Sequence, residues 1–139
     1  MVTTARGRSR VVEGSLRRIL VADGEQDLLA AVEFTLRSAG YDVECVLDGA
    51  TALAVALAEE FDLVILDARL PRLSGVEVCR RLRAQSNVPI VIQTVLDDEG
   101  ARLRHLEAGA DDYLVRPVPL TELVRRVGVI LDGSPHLRS

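Results

Sequence analysis

Five short aliphatic runs, each followed by a segment of helical periodicity, leave this chain little choice of architecture. RILVA (18–22) has no polar break inside it, which suits a strand buried on both faces of a sheet. The next segment places Leu28, Leu29, Val32 and Leu36 at helical spacing and stops at Gly40, a residue suited to the left-handed position after a helix end, so a helix is predicted over 26–39. YDVECV (41–46) alternates as a strand does, and DGATALAVALAEE (48–60) offers Leu53 and Leu57 on an alanine-rich helix. DLVILD (62–67) is the most hydrophobic run and the expected central strand. After LPRLSG, Ser74 is placed to cap a third helix running to position 84, and VPIVIQTV (88–95) supplies a fourth strand. A fourth helix is predicted over 99–108 and a fifth strand at DYLV (112–115). A last helix starts near Pro119 and sets Leu120, Leu123, Val124, Val127, Ile130 and Leu131 along one broad face.

Five strand–helix units with short connections predict an α/β fold: a doubly wound, five-stranded parallel sheet, joined by right-handed crossovers, with helices on both faces. The 139 residues suffice for one domain, placed at 18–131, with a basic arm at 1–17 and a linker or tail at 132–139. Aromatic residues make up only 3% and Trp is absent, so the core must be built from Leu, Val, Ile and Ala.

Composition also narrows function. No apolar run approaches the roughly 20 residues needed to cross a bilayer, and the first residues lack a signal-peptide core, so a cytoplasmic location without membrane contact is expected. All 17 basic residues are Arg. Residues 1–18 carry a net charge of +4 and residues 19–139 a net charge of −8. An acidic globular part argues against nucleic-acid binding by this domain itself, and the arm reads as solvated and disordered. Cys45 and Cys79 show no metal-ligand spacing and are expected to be reduced, buried and unbridged; His105 and His136 read as surface residues.

In an open parallel sheet, ligands bind beyond the carboxyl ends of the strands, at the point where the strand order reverses. The polar residues expected at those ends are Asp23, Asp67, Thr94 and Arg116. Two carboxylates, a hydroxyl and a guanidinium at one edge suit a divalent cation or an anionic group.

Taken together, RILVADGEQD, DLVILDARLPRLSG, VPIVIQTVLDD and EAGADDYLVRP resemble the receiver domain of bacterial two-component response regulators, over about residues 17–131. GADDYLVRP looks most like the subfamily whose receivers precede a winged-helix DNA-binding domain. The resemblance implies a flavodoxin-like (βα)5 fold with strand order 2-1-3-4-5. It implies Asp67 as the acid phosphorylated by a histidine kinase, Thr94 as the hydroxyl that moves to the phosphoryl group, and Tyr113 as the aromatic residue that changes rotamer with it. Asp23 and Asp67 match metal ligands, and Gly24, Glu25 and Arg69 complete the expected pocket.

Two positions depart from the family. The second acid after strand one, normally a direct magnesium ligand, is Gly24, and the Lys that contacts the phosphoryl oxygens is Arg116. Arg keeps the charge, but its planar guanidinium grips carboxylates with paired hydrogen bonds, so the change alters geometry. The family pocket carries a net charge of −2, whereas Asp23, Asp67 and Arg116 give −1, which lowers the need for a divalent counter-ion. Mg²⁺ is therefore expected to bind weakly, Arg116 to pair with Asp67, and phosphorylation to be poor or absent.

In the resembled subfamily, homodimers form through helix four, strand five and helix five, and Arg102, Glu107, Asp111, Asp112, Glu122 and Arg126 stand in matching places. The reading is thus not a metabolic enzyme but an atypical receiver, responding to a small-molecule ligand, a partner or its own concentration and controlling DNA through a C-terminal domain not in this chain. The alternative is a conventional receiver phosphorylated on Asp67 by a histidine kinase. An unrelated flavodoxin-like cofactor binder is disfavoured, because no Gly-rich phosphate loop follows strand one.

Overall fold

A computed structural model describes residues 16–95 and 99–133. Strands β1 (Arg18–Ala22), β2 (Asp42–Val46), β3 (Leu63–Asp67), β4 (Ile90–Thr94) and β5 (Asp112–Val115) alternate with helices α1 (Gln26–Ser38), α2 (Gly49–Ala58), α3 (Gly75–Arg83), α4 (Glu99–Glu107) and α5 (Leu120–Asp132). All strand pairs are parallel and the order is 2-1-3-4-5, the expected topology with β3 at its centre.

Successive side chains of a strand point to opposite faces, so each unbroken aliphatic run feeds two cores. Ile19, Val21, Leu63 and Ile65 pack beneath α1 and α5 with Leu29, Val32, Leu36, Leu123, Val127 and Leu131. Leu20, Val64, Leu66, Ile90 and Ile92 pack on the other face with Ala52 of α2 and Val78, Cys79 and Leu82 of α3. Their burial is the main stabilising term, at about 25 cal/mol per Å² of apolar surface.

Local signals set most element ends. Asp48 caps α2 by accepting from the Thr51 backbone N–H, and Ser74 caps α3 by accepting from that of Glu77. Gly40 takes a φ of +103° past the end of α1, where an L side chain is strained. β4 is shorter than the predicted 88–95: Pro89 has no N–H to give a ladder, and the Val88 N–H turns aside to Ser86 Oγ.

Arg18, at the start of β1, is nearly inaccessible at 3% exposure. Its guanidinium reaches Glu59 at 3.0 Å, Asp42 at 3.4 Å and Glu44 at 3.6 Å and lies over the Phe61 ring. This network ties β1, β2 and the end of α2 together at the edge opposite the strand C-termini.

One expectation about the cysteines needs correction. Cys79 is buried, but Cys45 is half-buried, because β2 is an edge strand and covers its inner face only in part. Both cysteines are free, and burial first of all pushes the thiols up, to about 12 for Cys45 and about 11 for Cys79. Near the limits of the expected 18–131 unit, Arg17 donates to the Leu131 carbonyl at 3.0 Å, and α5 runs to Asp132. The rest of the arm, at 1–15, and of the tail, at 134–139 with His136, lies outside the described residues.

Candidate functional site

Parallel pairing brings the C-terminal ends of the strands to one edge, with Asp67 registered on Gln93 and Thr94 on Val115. The chain leaves β1 toward β2 and returns across it to β3, so the order reverses between β1 and β3. Asp23 and Asp67 flank that point.

Asp23 is 1% exposed. Its Oδ1 accepts from the Glu25 backbone N–H at 2.9 Å, and its Oδ2 accepts from Arg116 Nη2 at 2.5 Å. The same Nη2 donates to Gln93 Oε1 at 3.0 Å, while Nη1 stands 3.6 Å from Asp67 Oδ2. The Arg116 backbone N–H donates to the Thr94 carbonyl at 2.7 Å, which fixes the root of the side chain beside β4. The expected ion pair of Arg116 with Asp67 is present at 3.6 Å, but Arg116 engages Asp23 more closely and lies between the two acids, because its long planar fork spans from β5 to β1.

Asp67 closes β3, and its Oδ1 accepts from the Arg69 backbone N–H at 3.2 Å. Gly75 is required here: a Cβ would lie 2.2 Å from the Asp67 carbonyl oxygen, so only glycine lets α3 start against the end of β3. Gly24 faces Pro71, with 3.2 Å from an added Cβ to Pro71 Cδ. Beside it lies an open depression of about 480 Å³ lined by Gly24, Glu25, Gln26, Asp27 and Leu47. Glu25 is exposed at the start of α1 and makes no side-chain cap there. Among the described residues, no group of three or more His, Cys, Asp or Glu side chains could hold a metal ion.

Two relevant residues escaped the sequence reading. Gln93 is buried and bonded to Arg116; an amide inside an otherwise aliphatic strand was the available signal. His105 is buried rather than on the surface, since it falls one helical turn after buried Ala101 and turns toward Tyr113 of β5, with ring centroids 4.9 Å apart.

On the α4–β5–α5 face, Asp112 and Glu122 are both bonded to Arg126, at 2.5 and 3.0 Å, and Glu122 also to Arg125 at 2.7 Å. Arg125 and then Arg126 hold the Glu122 carboxyl down to about 2. The Arg102 guanidinium lies 5.0 Å from the centroid of the Tyr113 ring, and Glu107 is exposed. Asp111 is engaged elsewhere: its carboxylate accepts from Arg83 at 2.9 Å and from the Ile90 N–H at 2.8 Å, where it anchors the end of α3.

A family model described as "Response regulator receiver domain" matches residues 19–128. The response regulator ArlR of Staphylococcus aureus (strain Mu50 / ATCC 700699) is 38% identical over 121 residues, which is 87% of this chain and 55% of that protein. The chain thus spans about half the length of the curated relatives it matches. Among solved structures, the receiver domain of Francisella response regulator 1452 superposes with a TM-score of 0.81 at 28% identity, over 85% of this chain and 98% of that one. The receiver domain of the sensor histidine kinase PA1611 from Pseudomonas aeruginosa PAO1, which has a magnesium ion coordinated in its active-site cleft, gives 0.77 at 35% identity, over 83% and 97%.

Proposed function

As this chain belongs to the response regulator receiver domain family of two-component signalling, we propose that it is an atypical member in which Arg116 acts as a built-in counter-ion of the phosphorylation pocket. The observation that carries this reading is the Arg116 guanidinium lying between Asp23 and Asp67. The residues present do not fit a magnesium ion: Gly24 offers no carboxylate, and the inner oxygen of Asp23 is already bonded to a cation. Phosphoryl transfer depends on cationic stabilisation of the moving group, and a guanidinium already engaged with Asp23 and Gln93 is a poor substitute for a free metal position. Asp67 is accordingly phosphorylated slowly or not at all, and the output is set by other inputs.

The output itself is a homodimer through α4, β5 and α5 that controls a DNA-binding domain outside this chain. Arg102, Glu107, Asp111, Asp112, Glu122 and Arg126 are the residues for that face; within one chain Asp111 is bonded to Arg83, and Asp112 and Glu122 to Arg126, so a dimer would exchange or extend these pairs. Single exposed ion pairs contribute only about 0 to 1 kcal/mol each, so such a dimer is expected to depend on concentration and salt.

The test is intact mass spectrometry after incubation with a small-molecule phosphodonor and Mg²⁺, with Asp67→Ala as control. No added mass on the folded wild-type chain is the expected result. A phosphoryl mass that disappears in Asp67→Ala would overturn the reading and restore the conventional one, with a histidine kinase as partner.

A further inference from the structure

Among the described residues, one buried side-chain nitrogen lacks a hydrogen-bond partner: Nδ1 of His105. The imidazole is 3% exposed and packs on Tyr113 with its plane tilted by 35°. Arg102, three residues earlier on the same face of α4, covers the same tyrosine ring, which is itself only 6% exposed. Tyr113 is thus gripped from α4 by a stacked imidazole and a guanidinium, the second of which is a residue of the proposed dimer face.

The surroundings make this grip sensitive to protons. Arg104 on α4 repels a second charge, and Arg102 already places a cation against the Tyr113 ring. On β5, Asp112 is bonded to Arg126 and Asp111 to Arg83; on α5, Glu122 is bonded to Arg125 and Arg126. Glu107 of α4 is exposed. Burial, followed by Arg104, lowers the His105 pKa from its ordinary value of 6.5.

We propose that His105 is a positioning residue for Tyr113: the neutral imidazole keeps the tyrosine ring inside, and uptake of a proton from solvent by the imidazole, whose Nδ1 has no partner to share the charge, loosens that grip and alters the α4–β5–α5 face. The inference rests on reading Tyr113 as the residue that links the pocket to the output face, but not on Arg116. The ring position is measured without Mg²⁺ or phosphodonor, so its failure and that of the pocket reading are separate results.

The experiment is NMR of the whole chain with ¹³C-labelled tyrosine, Tyr41 being identified by Tyr41→Phe, from neutral pH down to about pH 4.5. The wild-type Tyr113 ring signal is expected to shift with a midpoint below 6.5. His105→Phe preserves a stacked ring without a titrating group and should hold the neutral-pH position throughout, while His105→Ala should show the acid position already at neutral pH. A Tyr113 shift of the wild-type size in His105→Phe, or none in the wild type, overturns the proposal. Should His105→Ala fail to fold, the Phe variant decides alone.

Discussion

Arg116 and Asp23 lie 93 positions apart in sequence, yet the guanidinium of one donates to the carboxylate of the other at 2.5 Å, at a site where Asp23 has lost almost all contact with water. Charges taken out of water in this way depend on each other, because removing one leaves the other buried and uncompensated.

Truncating Arg116 should therefore be costly to the fold. Arg116→Ala is expected to lower unfolding free energy by about 3 kcal/mol, read from urea denaturation midpoints. Adding Asp23→Asn, which removes the orphaned charge, should recover much of that loss, since the two residues act as one unit. A loss below about 0.5 kcal/mol in the single variant would mean that water or Gln93 replaces the guanidinium without penalty.

Restoring the family's acid and lysine together should restore a metal site. Gly24→Asp with Arg116→Lys is expected to raise Mg²⁺ affinity by about tenfold or more in isothermal titration calorimetry, with Pro71 yielding a few tenths of an ångström to the new side chain. Gly24→Asp alone should gain little, because Arg116 still engages Asp23. Unchanged affinity in the double variant would sink the counter-ion account.

At the opposite edge of the sheet, Arg18→Met should keep the bulk of the side chain and abolish the pairing with Glu59, Asp42 and Glu44. These partners are partly solvated, so the expected loss is about 2 kcal/mol, less than for a fully enclosed pair. Chemical denaturation read by circular dichroism checks it, and because the site is remote from Asp67, Mg²⁺ binding should not change.

The lowered pKa of His105 carries a sign that can be tested. In the unfolded chain the imidazole takes up its proton near 6.5, and in the folded domain only at lower pH. Between those two values the unfolded state binds more protons, so the contribution is fully present above about 6.5 and is lost as pH falls toward the folded value. Urea midpoints should therefore decline from neutral pH toward about pH 5, and His105→Phe should flatten that decline. An equal decline in both proteins would assign it to other groups.

Much of this was legible in the chain itself. The five elements of each kind, the central place of β3, the cap at Ser74 and the stop at Gly40 follow from local periodicity and turn chemistry, which act over a few residues. The family motifs also located Asp23, Asp67, Thr94 and Arg116 at one edge, because parallel strands must end there. Sequence alone placed Asp23, Asp67, Thr94 and Arg116 at strand ends and showed Gly24 where the family has an acid, but it did not single out Gln93. Only the tertiary structure decided how they are shared: that Arg116 takes Asp23 and Gln93 before Asp67, that Asp111 turns to Arg83, and that His105 goes inside against Tyr113. The physical reason is that a charged or aromatic side chain chooses among partners by reach, direction and loss of water. For these residues every competing partner sits on a strand or helix brought near only by the assembled sheet.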